Sequence, residues 1–104
     1  MSSTTYETKN LSSLKSLVKR LYPLWRNGNI AVLIHTETYT VGFNNFNSLE
    51  QIDDFLTNAD LHSMYIKTIY GEWNIPLEKY KTYKFNKDCS FTIICTNTEY
   101  RVVI

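Results

Sequence analysis

The chain has 104 residues, of which 43% are hydrophobic and 20% charged, and its net charge is +1. This length suffices for one domain with a modest hydrophobic core. The nearly balanced charge excludes a global field that attracts nucleic acid or anionic membranes, and no apolar run approaches the roughly 20 residues of a membrane-spanning helix. The polar N-terminus lacks the apolar stretch of a secretory signal. We therefore expect an intracellular protein with a disordered tail over residues 1–8 and one folded domain over residues 9–104.

The first predicted element is an amphipathic helix. Apolar residues recur at spacings of three and four: Leu11, Leu14, Val18, Leu21 and Trp25. This spacing places them on one helical face. Pro23 has no backbone N–H, so we expect it to end or kink the helix near Leu21.

Two strands and a short helix are predicted next. Residues 30–43 contain two apolar segments that break near Thr36 and form a predicted β-hairpin. Ser48 followed by Gln51 fits a capping box, which predicts a short linking helix over about residues 48–57.

A third helix is predicted after Asp60, because Leu61, Tyr65, Ile69 and Trp73 share one helical face. The remainder of the chain alternates as strands do. Strands are predicted over residues 80–85, 91–96 and 99–104, and the last two form a second hairpin.

A faint internal repeat organises these elements. Residues 17–25 align with residues 65–73 with Lys, Tyr and Trp in common, and residues 34–41 align with residues 94–102 around shared threonines. The sequence therefore predicts an α+β fold: a single pseudo-symmetric domain of two helix-plus-β-hairpin repeats, about 11–46 and 58–104, with an antiparallel sheet packed against the helices.

No motif predicts catalysis or a cofactor. His35, His62, Cys89 and Cys95 are the residue types of a zinc site, but they lack the closely spaced pairs of structural zinc ligands. His35 and Cys95 occupy matching positions in the two repeats, which is a weak hint of nucleophilic chemistry. Three scattered glycines cannot form a phosphate-binding loop. We predict a protein without enzymatic activity, with no catalytic residues, no metal ligands and no cofactor.

Two binding functions remain open. The favoured hypothesis is a protein or peptide partner held in a groove between the two repeats, since clefts between structural units are common ligand sites. Aromatic residues are the candidate anchors for this partner: Tyr22, Trp25, Tyr70 and Trp73. The two tryptophans also fit the predicted core stripes, so a purely structural role is the competing interpretation.

The alternative hypothesis is nucleic-acid binding by a basic helix and a strand rich in lysine and tyrosine. The cations concerned are Lys15, Lys19, Arg20, Lys81 and Lys84. Cations interleaved with aromatic rings are typical of single-strand binders, although alternation on an edge strand produces the same pattern. The sequence does not predict an oligomeric state.

In overall character the chain resembles the small proteins of filamentous viruses that infect hyperthermophilic archaea. It is short and rich in Tyr, Thr, Asn and Ile, with alanine only at Ala31 and Ala59. The resemblance implies an accessory protein that acts on host or viral partners in the host cytoplasm, and it leaves virion association open. It involves no motif and assigns no functional residue.

Overall fold

In the computed structural model, which describes residues 10–104, two helices pack with two antiparallel sheets. The helices are α1 (Leu11–Arg26) and α2 (Leu49–Asn58). The strands are β1 (Ala31–Thr36), β2 (Thr40–Gly42), β3 (Leu61–Thr68), β4 (Gly71–Pro76), β5 (Tyr80–Phe85), β6 (Phe91–Cys95) and β7 (Glu99–Val102). One sheet has the order β2-β1-β3-β4 and the other has the order β5-β6-β7. The α+β class is confirmed, and the predicted tail lies outside the described residues.

Helix α1 continues through Pro23 to Arg26, so the predicted end of the helix near Leu21 is wrong. The Asn10 side chain caps its start by accepting a hydrogen bond from the Ser13 N–H, at 3.1 Å. Leu24 and Trp25 pack against the core, and this packing supports the last turn. Pro23 removes only one helical hydrogen bond, the one that its missing N–H would donate to the Lys19 carbonyl.

Helix α2 begins as the sequence predicts. The Ser48 hydroxyl accepts a hydrogen bond from the Gln51 N–H at 3.3 Å, and the Gln51 side chain accepts one from the Asn47 N–H at 2.8 Å. Ile52 and Leu56 are its buried residues.

The predicted third helix is wrong, because residues 61–73 form most of the β3–β4 hairpin. Met64, Ile66 and Thr68 are buried while the residues between them are more exposed, which is the period of two of a strand. Ile69, which the helical stripe placed inward, is 88% exposed in the turn. Leu61–Thr68 instead pairs along the free edge of β1 and enlarges the four-stranded sheet.

The predicted pair of helix-plus-hairpin repeats is therefore not found. Residues 17–25 lie in α1, whereas the aligned residues 65–73 lie in β3 and β4. The described residues 59–104 contain no α-helix. The other aligned segments do form hairpins, β1–β2 and β6–β7, but in different sheets. Lys, Tyr and Trp occur in both helices and strands, so their alignment in the two segments does not determine the secondary structure of either.

Both sheets and both helices contribute to one hydrophobic core. Leu14, Ile34, Ile52, Met64 and Ile93 illustrate it, since each is almost completely buried. The Thr68 hydroxyl also joins the sheets by donating to the Val103 carbonyl at 2.7 Å.

Tyr80 joins α1 to the three-stranded sheet. It is fully buried, and its hydroxyl lies 2.8 Å from the Ser13 hydroxyl. Burial raises the pKa of Tyr80 to about 12, because the low-polarity surroundings disfavour the phenolate, and the Ser13 hydrogen bond opposes this only in part. The neutral phenol is thus held in a hydrogen bond between helix and strand.

We expect Tyr80→Phe to lower the free energy of unfolding by about 1 kcal/mol, because a buried hydrogen bond between neutral groups is lost. Urea unfolding of the variant, of Ser13→Ala and of the double variant measures the coupling between the two hydroxyls. Strictly additive effects of the two substitutions would contradict this role for the contact.

Candidate functional site

A groove of about 620 Å³ lies between α1 and the three-stranded sheet. We call it the α1 groove. It is formed by the second half of α1, the end of β5, the start of β6 and the C-terminus. Its residues are Ser16, Lys19, Arg20, Pro23, Leu24, Phe85, Cys89, Phe91 and Ile104. The groove therefore combines an apolar surface with two cationic side chains.

Polar contacts hold α1 against β5 along one side of the groove. The Tyr83 hydroxyl lies 2.7 Å from the Ser16 hydroxyl and accepts a hydrogen bond from Arg20 Nε at 3.1 Å. The Arg20 guanidinium also lies over the Phe85 ring, 4.8 Å from its centroid. Arg20 is thereby fixed at the edge of the groove, and no carboxylate of residues 10–104 forms an ion pair with it.

Strand alternation explains why aromatic rings line this side. Tyr83 and Phe85 pair with Ile93 and Phe91, whose side chains are buried. Because neighbouring side chains on a strand point to opposite faces, Lys84 lies on the other face of the sheet. Phe85 is 48% exposed, so part of its ring is available to a ligand.

The α1 groove contains only two of the five cations predicted for nucleic-acid binding, Lys19 and Arg20. Lys15 lies one turn earlier on α1 and does not line the groove. Lys81 lines a separate depression beside the β6–β7 hairpin, and Lys84 projects from the opposite face of the sheet. The structure does not bring the five into one patch.

The four predicted aromatic anchors form two separate pairs. Tyr22 and Trp25 are half-buried and pack against Phe43, with ring centroids 6.2 and 5.9 Å from the Phe43 ring. Tyr70 is 63% exposed in the β3–β4 turn, and Trp73 is half-buried in β4. No aromatic contact joins the two pairs within residues 10–104. Of these four rings, only Tyr70 is largely exposed.

His35 and Cys95, which the repeat placed in matching positions, lie in different sheets. The His35 ring accepts or donates a hydrogen bond with the Thr40 hydroxyl at 2.7 Å. Cys95 is buried in β6, and burial raises the pKa of its thiol. These surroundings do not form a nucleophile–base pair.

The turn between β5 and β6 forms one end of the groove. Cys89 is exposed there and has a positive φ of 69°, and its N–H donates to the Asn86 carbonyl at 3.0 Å. The Asp88 carboxylate accepts hydrogen bonds from the Ser90 N–H and hydroxyl, at 3.0 and 2.6 Å, and pairs with Arg101. These contacts fix the turn that presents Cys89.

Sequence reasoning missed most of the groove. Leu24, Phe85 and Phe91 were assigned to helix and strands, but the cavity depends on how far α1 lies from the sheet. No local sequence pattern indicates the distance between α1 and the three-stranded sheet. The alternation of lysine with aromatic residues over residues 80–85 is the one sequence signal for this surface.

Within residues 10–104, neither helix has the length and apolar character needed to cross a membrane. The chain matches no protein-family model, and no curated protein or solved structure is similar to it.

The Asp88 contacts generate a pH-dependent stability. Hydrogen bonds from Ser90 and the charge of Arg101 lower the pKa of Asp88 from 3.8 to about 2. A lowered folded-state pKa stabilises the fold above the unfolded-state value, and this contribution disappears as the pH falls from about 4 to about 2.

We expect Asp88→Asn to be less stable than the native chain at pH 6 and to approach it in stability near pH 2. Urea unfolding across this pH range measures the difference. A difference that is constant with pH would contradict the assignment, and carboxyl NMR titration of Asp88 is the independent control.

Proposed function

We propose that this protein is a non-enzymatic binding module that holds an acidic, amphipathic peptide segment of a partner protein in the α1 groove. The observation that supports this most directly is the composition of the groove. It joins an apolar surface to Lys19 and Arg20, and no acidic side chain among residues 10–104 lines it.

The apolar part of the groove suits one or two large side chains of a peptide. Leu24, Phe85, Phe91 and Ile104 form this surface. Burying one leucine or phenylalanine side chain there contributes about 1.5–3 kcal/mol. The volume also lies within the range of about 300–1,000 Å³ that is typical of ligand sites.

The cations select the charge of the peptide. Within residues 10–104, no carboxylate lies within ion-pair distance of Lys19 or Arg20. Tyr83 and Phe85 already restrain the Arg20 side chain, so little conformational entropy is lost when it binds a carboxylate. An aspartate or glutamate next to the apolar side chain that the peptide places in the groove forms an ion pair with Lys19 or Arg20.

Pro23 adds a possible backbone contact. Because Pro23 lacks an N–H, the Lys19 carbonyl does not receive its usual helical hydrogen bond. Both residues line the groove. We expect this carbonyl to accept an N–H of the bound peptide, which favours a peptide over a purely apolar ligand.

The hypothesis of a protein partner is thus kept, while its site moves from the expected inter-repeat groove to the α1 groove. Tyr22 and Trp25 then serve the core around Phe43. Tyr70 and Trp73 remain candidates for a second surface. The resemblance to viral accessory proteins fits a host or viral protein as the partner.

Nucleic acid remains the alternative, on the evidence of Lys19 and Arg20 alone. Base stacking is less favoured, because Arg20 covers one face of Phe85 and the Tyr83 hydroxyl is engaged by α1. The outward position of Lys84 removes it from any strand bound in the groove.

The test is a selection of random peptides by display against the native protein, followed by fluorescence anisotropy of the enriched peptides. We expect peptides with Asp or Glu close to Leu or Phe. Lys19→Glu and Leu24→Asp should each weaken binding at least about tenfold, or 1.4 kcal/mol. Lys67→Glu, which changes an exposed lysine on β3 away from the groove, is the matched control.

Two results would contradict the proposal. One is equal loss of affinity in the Lys67→Glu control. The other is binding of mixed-sequence single-stranded DNA that exceeds peptide binding and weakens steeply with salt, since phosphate contacts are strongly salt-dependent.

A further inference from the structure

Three side chains with metal-binding atoms meet at one end of the four-stranded sheet, in a cluster that the proposed function does not use. They are Glu37 in the β1–β2 turn, His62 on β3 and Glu78 in the turn that follows β4. One ligand atom from each lies within 4.8 Å of the others, and all three side chains are exposed. We call them the Glu–His–Glu cluster.

A β-bulge orients the histidine. His35 pairs with Ser63 and Thr36 pairs with Leu61, so His62 is an extra residue in β3 without a partner on β1. Such bulges bend the strand and redirect a side chain.

The two glutamates are brought to His62 by separate backbone contacts. The Glu37 N–H donates to the Asp60 carbonyl at 3.3 Å, which ties the β1–β2 turn to the start of β3. On the other side, Pro76 pairs with Ser63, and the chain then turns through Leu77–Lys79. Glu78 thereby lies beside His62.

We propose that the Glu–His–Glu cluster binds a divalent transition-metal ion of the zinc type. His62 Nδ1 and Glu78 Oε2 are 3.5 Å apart. In tetrahedral zinc, bonds of about 2.0–2.2 Å place neighbouring ligand atoms about 3.3–3.5 Å apart. That pair already has the required spacing, and rotation of the exposed Glu37 side chain brings in the third oxygen.

The charge of the cluster favours a cation. Two carboxylates lie close together, and within residues 10–104 no lysine or arginine lies within ion-pair distance of either one. A bound dication removes their repulsion. The negative charge of the two carboxylates is therefore not balanced by a lysine or arginine of the described residues.

The chemical types of the three ligands determine which cations the cluster prefers. Magnesium and calcium prefer oxygen ligands only, whereas imidazole suits zinc, copper, nickel and cobalt. Three protein ligands also leave one position for water, as in open zinc sites. The ion joins the β1–β2 turn, β3 and the turn after β4, so its binding stabilises the folded state.

The test is calorimetric titration of the chelator-treated full chain with zinc chloride. We expect one site with micromolar affinity and a higher melting temperature with zinc. His62→Ala and Glu78→Gln should each weaken binding at least about tenfold. His35→Gln, which changes the other histidine, should bind as the native chain does, and cobalt should give a visible absorption band that Glu78→Gln loses.

Other outcomes would overturn the site. Equal loss in His35→Gln and His62→Ala would indicate unspecific histidine binding. Loss in Cys89→Ser would move the metal to the exposed thiol, and equally tight binding of magnesium would indicate a simple acidic surface. Glu37→Gln provides a second carboxylate variant if Glu78→Gln fails to fold, which circular dichroism reports.

Discussion

The contact of α1 with β5 is the interaction on which the rest of the structure depends. A fully buried phenol needs a hydrogen-bond partner, since an unsatisfied polar group in the core costs about 1–3 kcal/mol, which exceeds the net value of a typical made bond. Tyr80 finds this partner in Ser13, which fixes the helix along the strand at one point. The Tyr83 hydroxyl then meets Ser16 and Arg20 one turn later. Because the helix is held in this alignment, its second half lies over the end of the sheet. The space between the two is the α1 groove.

The same alignment explains why a proline is tolerated in α1. Leu14, Leu17, Val18 and Leu21 are completely buried, so the helix is anchored before Pro23 is reached. Packing of an amphipathic face supplies most helical stability in proteins, and it outweighs the loss of one hydrogen bond near the C-terminus. The lost bond leaves the Lys19 carbonyl without its usual helical donor, at a residue that lines the α1 groove.

How far the sequence predicts the fold depends on how local each signal is. The cap at Ser48 and the alternation of β5 to β7 are local, and they predicted α2 and these three strands, although not their separation into a second sheet. Residues 61–73 carry apolar residues at both helical and strand periods, and the choice was made by pairing with β1, which is a long-range contact. The groove and the Glu–His–Glu cluster also depend on such contacts. A pattern search that requires closely spaced ligands cannot find Glu37, His62 and Glu78, because a bulge and two turns bring them together.

The α1 groove differs from an ordinary protein surface in the charge of its side chains. Two acidic residues have partners of their own: Asp88 near the groove is held by Arg101 and Ser90, and Glu72 accepts a hydrogen bond from Tyr65 at 2.8 Å. None of these carboxylates neutralises Arg20, whose guanidinium rests on an aromatic ring. This cation is fixed in place beside exposed apolar surface and has no counter-charge among residues 10–104, so it retains its capacity to bind an anion. This combination is the physical reason to look for an acidic partner at α1 rather than at the exposed Tyr70 turn, where the neighbouring fixed charge is the carboxylate of Glu72.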